Sequence, residues 1–296
     1  MPSFRPTRTP PGRLARLGVV LDKRNAPARV GEVAKMCERA GVDALWVRDR
    51  LPPGDELPRL EAWTCLTLAG LDTSRARVGG MLDTALRPPA TLAAMAATLD
   101  LALGGRLEIG LGGSAIEDYA RAFRGLLGGG GPRLSVEATD PAEIGVAIRV
   151  ADDLIIPAEA RRDMRAMLDL VGTACEDAGR DPSSLGIAVE LPVSIGRTSA
   201  EAQARASAES MFRATGHPSQ AGIFGTLEQC QDRVIELAHA GVTDLRCILP
   251  NTRDVPDVIA QLTAAVVGTL DVLRPTSPRS RAPDPPEGWG GRPSRP

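Results

Sequence analysis

"ERAGVDALWVRDR", residues 38–50, has a counterpart near the other end of the chain in "LAHAGVTDLRCIL", residues 237–249. Each copy closes a helical stretch on Ala-Gly, resumes on Val, and runs on as an apolar segment. Gly41 and Gly241 stand where a helix ends in the left-handed conformation, which glycine adopts without steric cost. Val42 and Val242 then pack inward and a strand begins. The stretch is therefore an αβ joint, and a chain that writes this joint twice is an alternating α/β protein. The repetition needs no shared function.

Working outward, the same alternation fills residues 14–274. Apolar strand-like runs are "RLGVVL" (16–21), "DALWV" (43–47), "ARVGGML" (76–82) and "RLEIGLGG" (106–113). They continue with "RLSVEA" (133–138), "DDLIIP" (152–157), "GIAVELPVSI" (186–195) and "TDLRCIL" (243–249). Helical patterns separate them. Val30, Val33, Ala34, Cys37 and Ala40 recur at helical spacing. Pro88 can start the long Ala/Leu helix over 88–105. Asp140, Pro141 and Glu143 spell N-cap, N1 and N3 of a capped helix, and Thr198 with Glu201 and Thr226 with Gln229 cap two more. Eight strands each followed by a helix predict a parallel (β/α)₈ barrel; a doubly wound open sheet is the rival. Residues 1–13 read as a flexible N-terminus and the Pro/Arg-rich stretch 275–296 as a disordered tail.

The 296 residues, 43% hydrophobic, can bury a sizeable core, and the net charge of −2 suggests no nucleic-acid or acidic-membrane partner. Five scattered cysteines (Cys37, Cys65, Cys175, Cys230, Cys247) without a Cys-x-x-Cys pair read as reduced thiols of a cytoplasmic protein, with no metal centre. No secretory signal is expected at the start, and no apolar run reaches the ~18 residues of a membrane span. Almost all basic residues are Arg, which suggests a GC-rich bacterial genome.

Ligands of parallel barrels bind at the C-terminal ends of the strands. That rule selects Asp22 to Asn25 after strand one and Arg48, Asp49 and Arg50 after strand two. It adds Asp83, Thr84 and Arg87 after strand three, then Gly112, Gly113, Ser114 and Glu117. Glu137 and Thr139 follow strand five, and Asn251 and Arg253 follow strand eight. Glu190 lies inside strand seven, either as a paired inward carboxylate or as a solvent-facing edge residue. "GLGGS" fails the dinucleotide fingerprint, lacking its third glycine and acidic partner. His217 and His239 form no triad or zinc pattern, which disfavours hydrolase and zinc-enzyme chemistry.

"AGVDALWVRDR", "EAWTCLTLAGLDTSRARVG" and "RPPATLAAMAATLDLALGGRLEIGLGG" resemble the luciferase-like monooxygenase superfamily, as do "ELPVSIGRTSAEAQARA" and "GTLEQCQDRVIELAHAGVTDLRCILP". The resemblance implies a flavin- or coenzyme F420-dependent barrel that performs hydride transfer on a small organic substrate. It implies Asp49 and Arg50 beside the ring as catalytic residues, and the carboxylate of Glu190 inside strand seven is added to them as a third catalytic candidate. By the same resemblance Gly79, Gly80 and Met81, near a strand-three bulge, and Gly112, Gly113 and Ser114 would contact the cofactor. Asp22, Glu137 and Thr139, at strand ends, are expected to contact it by their place at the mouth. The chain also departs from the family. Arg50 replaces a histidine, Pro88 replaces the histidine of "RHP", and the loop between helix four and strand five is shortened to a glycine run. "EATDP" stands where relatives hold a phosphate, and an Asp there is a poor phosphate neighbour. The histidine loss favours F420 over FMN. A degenerate barrel serving as a partner subunit is the rival reading, and a homodimer is a further expectation.

Overall fold

The computed structural model describes residues 14, 16–21, 27–49, 61–128, 130–160, 164–209, 212, 218–250 and 255–273. Residues 1–13, the tail from 274 onward, and Asp22 and Arg50 lie outside them. The elements run β1 (Arg16–Val20), α1 (Pro27–Arg39), β2 (Ala44–Arg48), α2 (Ala62–Leu71), β3 (Arg77–Asp83), α3 (Pro89–Ala102) and β4 (Leu107–Gly112). Then come α4 (Ile116–Leu127), β5 (Arg133–Glu137), α5 (Pro141–Val150), β6 (Asp153–Ile156), α6 (Met164–Asp177), β7 (Gly186–Ile195) and α7 (Ser199–Ala208). The chain continues with α8 (Pro218–Ala221), β8 (Ile223–Gly225), α9 (Leu227–His239), β9 (Asp244–Ile248) and α10 (Val255–Leu273).

Strands β1 to β7 and β9 pair in parallel, and the β6–β7, β7–β9 and β9–β1 pairings close them into a ring. This is a (β/α)₈ barrel, and the open sheet is ruled out by that closure. The short connection between α4 and β5 is residues 128–132. β8, not foreseen from the sequence, pairs only with Val193–Ile195, the part of β7 that runs beyond the ring. Three residues are too short for a period-two pattern to register.

Both copies of the αβ joint have the same bonding. The Gly41 N–H donates to Glu38 and the Val42 N–H to Cys37; the Gly241 and Val242 N–H groups donate to Ala238 and Leu237. This is the Schellman arrangement, with φ of +91° at Gly41 and +96° at Gly241.

Strand alternation separates two environments. Leu17, Val19, Leu45, Val47, Val78, Leu107, Ile109, Leu134, Leu154, Val189 and Leu245 face the helices in the main core. Val20, Ala44, Trp46, Met81, Ile155 and Ala188 form a smaller cluster that Ile248 packs against. These residues share inward strand positions with charged ones, so much of the barrel interior is ionic. Near its floor Arg16 bonds Glu108 (2.6 Å) and Asp244 (2.9 Å), while Arg133 clasps Asp153 (2.6 and 2.7 Å). Buried charges need such partners. Burial alone would lower the Arg16 pKa; Asp244, Glu108 and Asp153 outweigh it and hold the guanidinium above its usual value.

Candidate active site

The C-terminal ends of β2, β5 and β7 bring three charged side chains to one level of the barrel. Arg48, the last residue of β2, donates through Nη1 to Glu190 Oε2. Its Nη2 donates to Glu137 Oε2 at 3.0 Å and Oε1 at 3.2 Å. The Arg48, Glu137 and Glu190 side chains are 13%, 20% and 0% exposed, so the cluster opens to solvent on the Glu137 side. Glu190 is therefore the inward, paired carboxylate, not an edge residue. Its Oε1 has no hydrogen-bond partner among the described residues.

Under this cluster the barrel is closed by a stacked pair. The buried Arg246 guanidinium lies 3.4 Å from the centroid of the Trp46 ring and donates to Ser135 Oγ at 3.3 Å. Trp46 fits because Gly79 faces it; a Cβ on Gly79 would overlap Trp46 Cζ3. Met81 lies over Gly110, whose Cβ would overlap the Met81 sulfur. Gly80 points the other way, toward Leu66 and Leu82. Pairing through Gly79 and Gly80 is one-to-one with both β2 and β4, so the strand-three bulge expected from the resemblance is absent.

The glycine turn after β4 adjoins the acidic cluster. A Cβ on Gly112 would stand 3.2 Å from Glu137 Oε2. Gly113 has φ +111°, and a Cβ there would press on Asp83 Oδ1 and Thr84 Oγ1. The Ser114 carbonyl accepts from Thr84 Oγ1 at 2.8 Å. The turn thus presents backbone without side chains beside Glu137.

Asp49 is differently engaged. Both its oxygens are bound by Arg87, and Oδ2 also accepts the Asp83 N–H at 3.0 Å. Arg87 also pairs with Glu61, whose Oε2 caps α2 through the Thr64 N–H at 2.6 Å. Tyr119 Oη donates to the Arg87 carbonyl at 2.7 Å. Burial would lower the Arg87 pKa, but Asp49 and Glu61 outweigh it and raise it. Asp49 is accordingly a brace between the β2 and β3 ends. Thr139 is also committed, its N–H and Oγ1 both donating to Glu143 Oε2.

Of the residues singled out in the sequence, the structure brings together Glu137, Glu190, Gly112 and Gly113. It sets Gly79 and Met81 in the layer beneath and turns Gly80 outward. Sequence reasoning placed Arg48 at the end of strand two with Asp49 and Arg50 but did not set it apart from them as the inward-facing one. The missed signal is its spacing: Ala44, Trp46 and Arg48 are alternate residues of one strand and so share a face.

A model of the luciferase-like monooxygenase family matches residues 4–126 and 119–222. The chain is 23% identical over 229 residues to 5,10-methylenetetrahydromethanopterin reductase of Methanolobus tindarius, covering 64% of this chain and 68% of that protein. Among solved structures it is similar to the coenzyme F420-dependent tetrahydromethanopterin reductase of Methanopyrus kandleri. That match has a TM-score of 0.69 and 18% identity, over 87% of this chain and 99% of the other. It is similar also to EDTA monooxygenase from Chelativorans sp. BNC1, with a TM-score of 0.69 and 14% identity, over 87% and 95%. At these identities the structural likeness is one of fold.

Proposed function

The chain belongs to the luciferase-like monooxygenase family, a family of flavin- or F420-dependent oxidoreductases, and from that premise we propose that it is an F420-dependent oxidoreductase acting on a small organic substrate. The observation that carries this reading is the Arg48–Glu190–Glu137 cluster at the C-terminal mouth of a closed barrel. The residues there fit a flat ring. Gly112 and Gly113 offer bare backbone for close approach, and Glu190 Oε1 is a buried acceptor suited to an N–H or O–H donor.

When bound, a deazaflavin would supply hydride transfer, which is the cofactor's own chemistry. The chain's residues have simpler tasks. Arg48 holds the two carboxylates in place, the Trp46–Arg246 stack closes the barrel beneath and excludes water, and the Asp49–Arg87 brace fixes the strand ends. Arg50, next in sequence to that brace, is proposed to reach the ring, where relatives carry a histidine. That missing histidine supports F420, as does the F420 dependence of the M. kandleri reductase. FMN is the second reading, supported by the family's own description and by the monooxygenase likeness.

Titration of the purified protein with F420 and with FMN, followed by fluorescence quenching, tests the proposal. Binding of F420 with a dissociation constant on the order of micromolar, and weaker binding of FMN, is the expected result. Tighter binding of FMN supports the second reading. Binding of neither would leave a degenerate barrel.

A further inference from the structure

We infer that the β5–β7 side of the mouth is an acceptor-lined subsite for the uncharged part of a bound ring and rejects a phosphate, with Asp140 and Glu143 setting that specificity. The inference rests on the ring-binding reading above and deepens it.

Helix N-termini that follow barrel strands are ready-made anion sites, because their N–H groups are free and their dipoles positive. The start of α5 follows β5 after the connection 138–140, and β5 ends at Glu137 of the mouth cluster. Here the N-terminus is closed by the chain itself. The Glu143 N–H donates to Asp140 Oδ1 at 2.9 Å. Glu143 Oε2 in turn accepts the Thr139 N–H at 2.6 Å and Thr139 Oγ1 at 2.7 Å. Pro141 has no N–H to offer. Two carboxylates therefore stand where a phosphate would need donors.

A second observation points to what does bind. Glu190 is fully buried, and its Oε1 lacks a partner among the described residues. An oxygen of that kind is satisfied by an N–H or O–H donor, and a fully ionised phosphate cannot supply one. The edge of a flavin or deazaflavin ring carries such an imide N–H without a charge. With Glu137, Asp140, Glu143 and Glu190 on this side, a phosphate would meet like charge, whereas the ring edge would meet acceptors. On this inference, any anionic side chain of the cofactor would have to leave the mouth away from α5.

Riboflavin and FMN share one ring and differ only in the phosphate, so their affinities measured by fluorescence quenching isolate the effect. The wild type is expected to bind riboflavin at least as tightly as FMN. In Asp140→Ser/Glu143→Gln, which keeps an N-cap oxygen and an N3 acceptor, FMN should tighten about tenfold while riboflavin moves less than about twofold. The single Glu143→Gln change, expected to shift FMN about threefold, serves if the double variant loses its thermal transition. Equal movement of both ligands would overturn the inference, as would wild-type FMN affinity more than about tenfold above that of riboflavin. Binding of neither ring to the wild type would sink the ring-binding reading and this inference together. Ring binding with an unmoved preference would sink this inference alone.

Discussion

Arg48 is one guanidinium shared by two carboxylates, and the one beneath it has no exposure to water. Removing the cation would leave Glu190 buried without a counter-charge, the costly half of a broken buried pair. Arg48→Met is therefore expected to lower stability by about 3–4 kcal/mol, read from urea unfolding. Adding Glu190→Gln should recover about half of the loss, because the uncompensated charge is then gone. Equal stability of the single and double variants would refute this account. The residue scale is also where the sequence was least legible. "RDR" reads alike whether its first arginine is solvated or buried, because a charge run carries no information about partners 89 and 142 residues away.

At the scale of elements, local chemistry was readable wherever it was self-contained. The Asp140–Glu143 cap and the two Schellman joints lie within a few residues of sequence, and the structure has both. The strands were legible as strands but not in their facing. "RLSVE" alternates polar and apolar residues, the usual mark of a strand with one wet face. Here the polar positions Arg133, Ser135 and Glu137 turn into the barrel, and Leu134 and Val136 turn to the helices. β3 makes the same point through size. Gly79 is needed for the Trp46 ring, so Gly79→Ala should force the ring or the strand to shift and cost about 2–3 kcal/mol in denaturant unfolding. A loss below about 0.5 kcal/mol would show that the Trp46–Arg246 stack is not tightly packed.

For the whole molecule, the balance of buried and bonded carboxylates sets the response to acid. Burial would raise the Glu38 pKa, but backbone N–H groups of Ala76, Arg75 and Ser74 bring it down to about 2. Asp153 is likewise lowered, Arg133 outweighing burial. Asp244 goes up, since burial there exceeds the pull of Arg16 and Arg246. A depressed folded pKa gives stability that is present above the unfolded value, about 4, and is lost as pH falls through the folded one. Asp244 acts in the opposite sense and gains as pH falls. The urea midpoint should therefore drop most steeply below about pH 4.5, with a shallower fall in Glu38→Gln. Superimposable profiles for the two proteins would contradict the assignment.

What the sequence determined by itself was the set of eight strands, the helix caps and joints between them, and the family. All of these are written in local patterns of polarity, glycine and capping residues. Which side chains meet at the mouth was decided only by the tertiary structure. Closing the ring sets the stagger of one strand against the next. That stagger lifts Arg48, Glu137 and Glu190 to one level and brings Trp46 and Arg246 together beneath them.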